Sequence, residues 1–574
     1  MSYEQALADI RARQAANWPT SVPKALAYPI DEQGVVDYLR HWAATRPDQE
    51  AIWFYGRSMS YRELADAAAR FAGWLQRNDL KPGDRVGVFL GNCPQFVVAM
   101  LGILWAGGVH VPVNPLFREH ELAHELSDAG VTILLAQDDL LPLVEKVRDR
   151  TLVRAVAVTS LGELVDPEAA DDVPVPFRPG PPDVATPHVP WSVVMAVEPA
   201  PARPTDPDAL AALNYTGGTT GMPKGCEHTQ RHMVYTAASA TAAQGHRVSE
   251  HAEVSICFLP VFWIAGEDFG ILIPIINGGS VLLMSRWDPG LVLRLVEAKR
   301  ATTLIATVDN YVELMARPDV TGRDLSSLET ALAVSFVLQL TPEIRRQWRE
   351  LTGHTLREAS YGMTETHTAD SITLGFQEDD WDLSAEPVFC GLPVPGTDFL
   401  IVDELGMPVG VDEVGEILVR SPSILTRYFN QPEATAQALT DGWLHTGDTG
   451  KLNSRGGLHY LGRNKEMIKT NGMSVFPSEV ESLLRLHPDV VTAAVVPMPD
   501  RQRGQVPLAF VQLAAGSTAT GESLQAWAKE NMATYKVPRI EIVTGLPMTA
   551  TGKIKKGELF DKASRLSSME GLPR

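Results

Sequence analysis

Residues 213–225 read LNYTGGTTGMPKG, an apolar strand that runs into a loop of threonine and glycine with a single lysine. The glycines let backbone N–H groups approach an anion, the threonine hydroxyls add donors, and Lys224 supplies a positive charge. The loop is therefore suited to a polyphosphate. It is not a Walker A loop, because Pro223 precedes the lysine and Gly225 follows it. The alternative, a flexible turn, rarely combines these residues directly after a buried strand.

The composition limits the class of protein. A chain of 574 residues with 45% hydrophobic and 21% charged side chains predicts a large packed protein and argues against disorder and coiled coil. The 50 basic and 70 acidic side chains give a net charge of −20, which argues against nucleic acid as the main partner. The four cysteines are widely spaced and predict neither a disulfide framework nor a structural zinc site.

The two ends of the chain favour a cytoplasmic location. The first residues carry Glu4 and Asp9 where a signal peptide needs a basic start and an apolar run. The final residues, GLPR, are no peroxisomal address. The uncharged stretch 86–117 is long enough to suggest a membrane span, but Asn92, Pro94 and a Gly-Gly pair divide it. It therefore predicts a strand at 86–90, a helix and a strand at 109–113.

Strand-like and helical segments alternate along the chain and predict an α/β fold. We expect a large N-terminal body of mixed sheets and helices over residues 1–464, built of subdomains. Twelve of the 41 prolines fall between Pro167 and Pro207, so residues 163–208 are expected to form an extended connector within that body. Shorter helix and strand pieces after Lys465 predict a small α+β domain over 465–574.

The phosphate loop resembles the signature loop of the AMP-forming acyl- and aryl-adenylating superfamily, which includes acyl-CoA synthetases, firefly luciferase and peptide-synthetase adenylation domains. The other motifs of that superfamily occur in its order over nearly the whole chain. They are SYREL (60–64), WAGGVHVPVNP (105–115), FLPVFWIAG (258–266), YGMTET (361–366), GEILVRS (415–421), GWLHTGD (442–448), GRNKEMIKTNGMSVFPSEVE (462–481) and PMTATGKIKK (547–556). Their joint occurrence identifies the chain as a member.

The resemblance implies a set of nucleotide contacts. Phosphates are expected to meet Thr216, Gly217, Gly218, Thr219, Thr220, Lys224 and Thr364, adenine to stack on Tyr361, ribose to meet Asp448 and Arg463, and Mg²⁺ to bind Glu365 and Thr220. Residue chemistry agrees, since these side chains offer an aromatic face, hydroxyls and hard carboxylate oxygens. Taken singly, the Thr-Glu pair also fits a helix cap and the aspartate an Asx turn.

The resemblance also implies two uses of the C-terminal domain. Lys553 matches the lysine that reaches the active site during adenylation, although Lys555 and Lys556 beside it are typical of a solvated basic run. The domain is expected to rotate about Lys465, so that Lys469 then serves thioester formation. Gly472 would let the pantetheine chain of CoA pass close to the backbone.

Some positions depart from the superfamily pattern. We expect the acid to meet Phe262, Trp263, Gly266, Phe336 and Gly362, with Trp263 in the place of a histidine and shaping the acyl tunnel; a tryptophan of the core is the alternative. VSFVLQL (334–340) replaces a glycine-rich pattern, so the pocket there does not transfer residue by residue. His228 and His232 are spaced i, i+4 and are expected on a helix surface rather than in a metal site.

The expected activity is that of an ATP- and Mg²⁺-dependent acid–CoA ligase acting on an apolar acid, either a medium- or long-chain fatty acid or a bulky alicyclic or aromatic acid. Transfer to a carrier protein instead of CoA stays an alternative, and so does a regulator that binds nucleotide without chemistry. The absence of a carrier domain after residue 574 modestly favours CoA. A homodimer is left open.

Overall fold

The computed structural model describes residues 2–172, 180–182, 187–216, 223–248, 253–335, 338–384, 388–463, 466–470, 473–500, 503–532, 534–549 and 553–570. Its strands, in chain order, are β1 (Glu50–Phe54), β2 (Arg57–Ser60), β3 (Arg85–Phe89), β4 (Val109–Pro112), β5 (Ile133–Gln137), β6 (Ala155–Thr159), β7 (Val189–Pro190), β8 (Leu210–Tyr215), β9 (Gly225–Thr229), β10 (Val254–Cys257), β11 (Ser280–Leu283), β12 (Thr303–Thr307), β13 (Thr330–Val334), β14 (Leu356–Glu358), β15 (Ser371–Ile372), β16 (Phe389–Pro393), β17 (Asp398–Val402), β18 (Gly415–Arg420), β19 (Leu439–Thr440), β20 (Trp443–Leu452), β21 (Leu458–Arg463), β22 (Ile468–Thr470), β23 (Met473–Val475), β24 (Val490–Asp500), β25 (Gly504–Leu513) and β26 (Arg539–Val543).

The α-helices are α1 (Tyr3–Ala16), α2 (Val35–Thr45), α3 (Tyr61–Arg77), α4 (Pro94–Ala106), α5 (Glu119–Asp128), α6 (Leu141–Val147), α7 (Trp191–Met195), α8 (Gln230–Ala243), α9 (Ile264–Glu267), α10 (Ile273–Asn277), α11 (Pro289–Lys299), α12 (Val308–Met315), α13 (Pro342–Thr352), α14 (Trp381–Ser384), α15 (Pro432–Ala438), α16 (Pro477–Arg485), α17 (Gly521–Asn531) and α18 (Lys556–Glu570). A π-helical turn, Asp268–Leu272, joins α9 to α10.

Two seven-stranded sheets, both mostly parallel, form the bulk of the N-terminal body. Their strand orders are β7-β6-β5-β3-β4-β8-β9 and β14-β13-β12-β10-β11-β1-β2, with β9 and β2 antiparallel at one edge of each sheet. One buried cluster contains residues of both sheets, among them Val86, Leu135, Val281 and Leu304. The two sheets and the helices between them therefore share a core, which suits strands that are apolar on both faces.

The unit predicted at 86–113 is confirmed as β3, α4 and β4. Pro94 lies in the first turn of α4, and Gly107 ends the helix in the left-handed conformation with φ 77°. A proline at the start and a glycine at the end are what a helix between two buried strands requires. No helix among the residues described is both long and apolar enough to cross a membrane.

A third sheet, β15-β16-β21-β20-β18-β17, is antiparallel and completes the body. The fourth, β23-β22-β25-β24 with β26 beside β25, packs with α16–α18 into a small α+β unit that has its own buried clusters. The predicted fold class, an α/β body followed by a small C-terminal domain, is thus confirmed. The expected boundary at 464–465 lies outside the described residues.

The proline-rich segment 163–208, predicted to be an extended connector, contains regular structure within its described residues. Val189–Pro190 pairs in parallel with β6, and α7 follows with Trp191 and Val194 buried. Proline is tolerated at the outer strand of a sheet because no neighbour needs its missing N–H. The segment therefore adds an edge strand and a helix to the first sheet.

Candidate active site

The phosphate loop extends from a hairpin of β8 and β9, whose ends face each other at Tyr215 and Gly225. Two hydrogen bonds close its base: Thr216 N–H donates to Lys224 O at 2.9 Å, and Lys224 N–H donates to Thr216 Oγ1 at 3.2 Å. The predicted phosphate contacts Gly217, Gly218, Thr219 and Thr220 lie outside the described residues. Both ends of the loop are thus held in a fixed arrangement.

Tyr428 contacts both Lys224 and Glu365, although no sequence motif indicated this tyrosine. The Lys224 Nζ lies 4.0 Å from the centre of the Tyr428 ring, and the Tyr428 hydroxyl donates to Glu365 Oε1 at 2.8 Å. Burial and the Glu365 carboxylate both raise the pKa of Tyr428, so the phenol stays protonated. Tyr428 therefore connects the cation of the phosphate loop to the predicted metal ligand.

Asp448 and Arg463 are directly opposite each other on β20 and β21. The Arg463 Nε lies 3.1 Å from Asp448 Oδ1, and the Tyr361 hydroxyl donates to Asp448 Oδ2 at 2.7 Å. Asp448 is buried, and burial raises its pKa although Arg463 opposes the shift. The structure thus brings together the three residues expected at ribose and adenine.

Thr364 and Glu365 lie in a single 3₁₀ turn, Thr364–Thr366. A Cβ on Gly362, just before this turn, would lie 1.9 Å from Thr368 O, so only glycine fits there. Behind the turn, the Nε2 of buried His228 lies 2.9 Å from Thr364 O. A carbonyl only accepts, so His228 carries its proton on Nε2.

His228 and His232 are not a pair on a helix surface, so that prediction is wrong. His228 lies on β9 and is fully buried, while His232 is the third residue of α8 and partly buried. Burial lowers the pKa of His228 well below its ordinary value. The i, i+4 spacing misled because the strand ends at Thr229, between the two residues.

A buried group of charged residues lies behind the same turn. The His367 Nδ1 lies 2.9 Å from Asp268 Oδ1, and Asn214 Nδ2 donates to Glu267 Oε2 at 3.0 Å. Burial raises the pKa of Glu267 to about 7 and lowers that of His110 to about 3. Nothing in the local sequence of these residues indicated that they would meet.

Three of the predicted acid-binding residues, Phe262, Trp263 and Gly266, lie at the start of α9. The rings of Phe262 and Trp263 are 5.1 Å apart at the start of α9, and a Cβ on Gly266 would lie 2.0 Å from Pro260 O. Phe336 lies outside the described residues. Their contact with the acid stays a prediction.

A cavity lies further along α8, between that helix and the sheet that contains β12 and β13. Its apolar wall consists of Ala240, Phe269, Ile273, Ile305 and Leu332. Polar residues also line it, among them Gln244, His246, Arg247, Glu253 and Asn277. Phe269 belongs to the π-helical turn, an irregularity that often accompanies a functional site. No local pattern indicated this cavity, because its walls come from separate segments of the chain.

Lys553 lies on the side of the C-terminal domain that faces Arg463. Partial dehydration and the positive charge of Arg463 lower the pKa of Lys553, although its side chain keeps contact with solvent. The loop is held by Thr549 N–H donating to Lys553 O at 2.7 Å. Lys555 instead pairs with Glu558 at 3.1 Å, and Lys556 with Glu481 at 2.9 Å.

The residues expected to serve the second reaction step are described only in part. Lys469 lies on β22 opposite Ser474 on β23. The predicted hinge Lys465 and the pantetheine contact Gly472 lie outside the described residues. Their roles stay predictions.

Two family models match this chain, "AMP-binding enzyme" over residues 39–429 and "AMP-binding enzyme C-terminal domain" over residues 479–553. The chain belongs to the AMP-binding enzyme family. The resemblance to acyl- and aryl-adenylating enzymes is thereby confirmed.

Relatives of this AMP-binding enzyme cover almost its whole length. A long-chain-fatty-acid–CoA ligase of Bacillus subtilis is 32% identical over 95% of this chain and 97% of its own. A feruloyl-CoA synthase of Amycolatopsis is 32% identical over 92% and 98%. Among solved structures, the anthranilate CoA ligase AuaEII with anthranoyl-AMP has a TM-score of 0.79 at 27% identity, over 93% of this chain and 98% of that one.

Proposed function

We propose that this enzyme, an AMP-forming acid–CoA ligase, activates a medium- or long-chain acid as acyl-AMP and transfers it to the thiol of CoA. The observation that carries the proposal is the convergence of Lys224, Glu365, Asp448 and Arg463 at one edge of the body, with Lys553 facing it from the C-terminal domain. The curated relatives named for CoA ligation support the same activity.

In the first step, a carboxylate oxygen of the acid attacks the α-phosphorus of ATP, and the bond to pyrophosphate breaks. Negative charge gathers on the phosphoryl oxygens, so fixed cations stabilise the transition state. Lys224 and Lys553 supply such cations, and Thr364 supplies a hydroxyl. Asp448 would accept the ribose hydroxyls while Tyr361 offers its ring to adenine.

The residues at the phosphate loop fit a magnesium ion. Tyr428 occupies Glu365 Oε1, while Oε2 makes no hydrogen bond within the residues that the structure describes. Those residues contain no group of three or more histidines, cysteines and carboxylates suited to a metal. One carboxylate with nucleotide phosphates is a usual environment for Mg²⁺, which would neutralise phosphate charge when bound. Glu365 would hold the ion, and Thr220 is proposed as its second contact.

In the second step, the thiolate of CoA attacks the acyl carbonyl carbon and AMP leaves with the bonding electrons. We propose that the C-terminal domain turns about Lys465 for this step, so that Lys469 and Gly472 replace Lys553 at the site. The separate ion pairs of Lys555 and Lys556 within the C-terminal domain support the special position of Lys553. ATP and CoA are available in the cytoplasm, which is the proposed location.

The cavity beside α8 supports an acid of some length. Ala240, on its wall, is ten residues beyond Gln230, which at ~1.5 Å per residue places it about 15 Å from the start of the helix. The helix starts two residues after His228, whose Nε2 lies 2.9 Å from the carbonyl oxygen of Thr364 at the predicted phosphate site. A short acid held at the phosphates would not reach this cavity, whereas a medium- or long-chain acid or an extended aromatic acid would.

The experiment is a panel of carboxylic acids with the purified full chain, in which pyrophosphate release and CoA-dependent AMP formation are both measured. A CoA ligase gives both products with at least one acid. Pyrophosphate release without CoA-dependent AMP would favour loading of a carrier protein instead. Failure of every acid to release pyrophosphate would contradict the proposal.

A further inference from the structure

The polar lining of the cavity includes a side chain whose orientation is fixed by a buried arginine. Arg357, on β14, donates from Nη2 to Gln244 Oε1 at 2.5 Å. A guanidinium only donates, so the atom that meets it must be the amide oxygen of Gln244. The amide nitrogen, Nε2, is then the remaining polar atom of that side chain. It makes no hydrogen bond within the part of the chain that the structure describes.

Arg357 is an unusual residue to find in this place. It is only 5% exposed, and it lies next to Leu332, which lines the cavity on the neighbouring strand. Burial lowers its pKa to about 10. Its Nη1 has no hydrogen-bond partner among the described residues. A buried cation that meets only one amide oxygen costs free energy unless a ligand or another group compensates it.

The nearby carboxylates are engaged elsewhere. Asp382 pairs with Arg345 at 2.7 Å. Glu253 accepts from Ser255 at 2.9 Å and from Asn277 at 2.8 Å. Gln244 therefore offers a spare donor to the cavity, and a buried arginine holds its side chain.

We propose that the acid carries an oxygen function at the end remote from its reacting carboxyl group, and that this oxygen accepts a hydrogen bond from Gln244 Nε2. Arg357 acts as a positioning residue that holds the amide in this orientation. The inference rests on the proposed function and refines its substrate class, from a purely apolar acid to one with an apolar body and an oxygenated end.

Selectivity follows from the cost of leaving a polar group unpaired. A plain alkyl end that reaches Gln244 takes water away from its N–H group and returns no hydrogen bond. An oxygenated end also loses water, but its hydrogen bond with Gln244 Nε2 compensates for that loss. Sites built to bind a substrate hydroxyl or carbonyl reject the unsubstituted analogue far more strongly than apolar pockets reject an additional methylene group.

The distance along α8 explains why the oxygen must be remote. Gln244 follows the last residue of α8, 14 residues beyond Gln230. At ~1.5 Å per residue, it lies about 20 Å along the helix axis from the first turn of α8. His228, two residues before that turn, lies 2.9 Å from Thr364 O at the predicted phosphate site. An oxygen close to the reacting carboxyl group would remain far from the amide.

The test uses pairs of acids matched in chain length, one with a plain alkyl end and the other with a terminal hydroxyl, ketone or carboxylate. We expect kcat/KM for pyrophosphate release to be about tenfold or more higher for the oxygenated partner at one length. The three oxygenated ends reveal which oxygen function fits best. A plain acid that equals or exceeds its partners at every length would overturn the inference while leaving CoA ligation intact.

The Gln244→Glu variant tests whether the N–H donor of Gln244, rather than its contact with Arg357, causes the preference for the oxygenated acid. It keeps an oxygen for Arg357 and removes the N–H donor, so we expect the preference for the oxygenated acid to fall about tenfold while kcat/KM for the plain acid changes less. Gln347→Leu, on an exposed face of α13, is the control. An unchanged preference in folded Gln244→Glu contradicts the proposal. If no acid releases pyrophosphate even with the unaltered chain, the proposed function fails instead.

Discussion

The nucleotide edge and the acid cavity of this enzyme were predictable to very different degrees. At the nucleotide edge, charged residues from short motifs meet at close range, as Asp448 and Arg463 do at 3.1 Å. The cavity walls come from α8, the π-helical turn, α10 and two strands, and none of the described residues expected to bind the acid lines the cavity. Phosphate recognition requires particular donor residues, so it produces recognisable local patterns in the sequence. An apolar pocket requires only a suitable shape.

Among the substitutions that test this contrast between the nucleotide edge and the acid cavity, the one at Lys553 is expected to have the largest effect. Lys553→Ala removes a cation from the transition state of adenylation, and acyl-AMP formation should fall about 10²- to 10³-fold. Thioester formation from supplied acyl-AMP should remain, because the proposed second step uses Lys469. The two half-reactions are measured separately. Lys555→Ala, whose side chain pairs with Glu558, is the control; an equal loss of both half-reactions would refute the division of roles.

Tyr428→Phe examines the contact that the motifs did not reveal. It removes the donor to Glu365 Oε1 but keeps an aromatic face for Lys224. A hydrogen bond to a charged group contributes about 1.5–3 kcal/mol, so KM for Mg²⁺-ATP should rise about tenfold or more. Tyr3→Phe, which loses only a bond to Gly406 O, should behave like the unaltered chain. No change in KM would show that Tyr428 has no part in nucleotide binding.

Trp263→Ala probes the acid side, where the expected effect is smaller and selective. Loss of the indole should widen the range of accepted acids and change relative kcat/KM values between chain lengths by about tenfold or less. KM for ATP serves as the internal control and should stay constant. Identical relative kcat/KM values would leave Trp263 as a residue of the core.

The smallest expected effect is on the pH dependence of adenylation. It again distinguishes the nucleotide edge from the acid cavity. The lowered pKa of Lys553 means that this amine loses its proton at a lower pH than an ordinary lysine. Adenylation, followed as kcat/KM for the acid, should therefore decline as pH rises toward the ordinary lysine value. Lys553→Arg keeps its charge over that range and should move the decline to higher pH. Acid selectivity should not depend on this change; a decline at the same pH in both proteins would assign it to another group.

Much of the fold was accessible from local patterns. The α4 helix begins at Pro94 and ends at Gly107 as predicted, because both residues restrict the backbone directly. Ser60 and Glu63 form the capping box of α3, an arrangement that the spacing Ser-x-x-Glu favours. In the proline-rich segment, composition did not indicate the pairing of Val189–Pro190 with β6, because that contact depends on a remote strand.

The residues of the site divide in the same way, into those that local sequence patterns indicated and those that depend on remote contacts. The motif spacing indicated Lys224, Glu365, Asp448 and Arg463, and the structure brings them to one edge. Tyr428 and Gln244 carried no such signal, because a single tyrosine or glutamine is common anywhere on a protein surface. Each acts through a partner that is remote in the sequence: Glu365 is 63 residues from Tyr428, and Arg357 is 113 residues from Gln244.

Residue order along the chain was sufficient for the family, the phosphate loop and the class of reaction, since each depends on the types of residues within a few positions. Folding added what depends on remote partners: the pairing of Asp448 with Arg463, the burial of His228, and a cavity lined by Gln244, which Arg357 holds. Burial and long-range contact set the charge state and orientation of these groups, and neither is written in any short stretch of sequence.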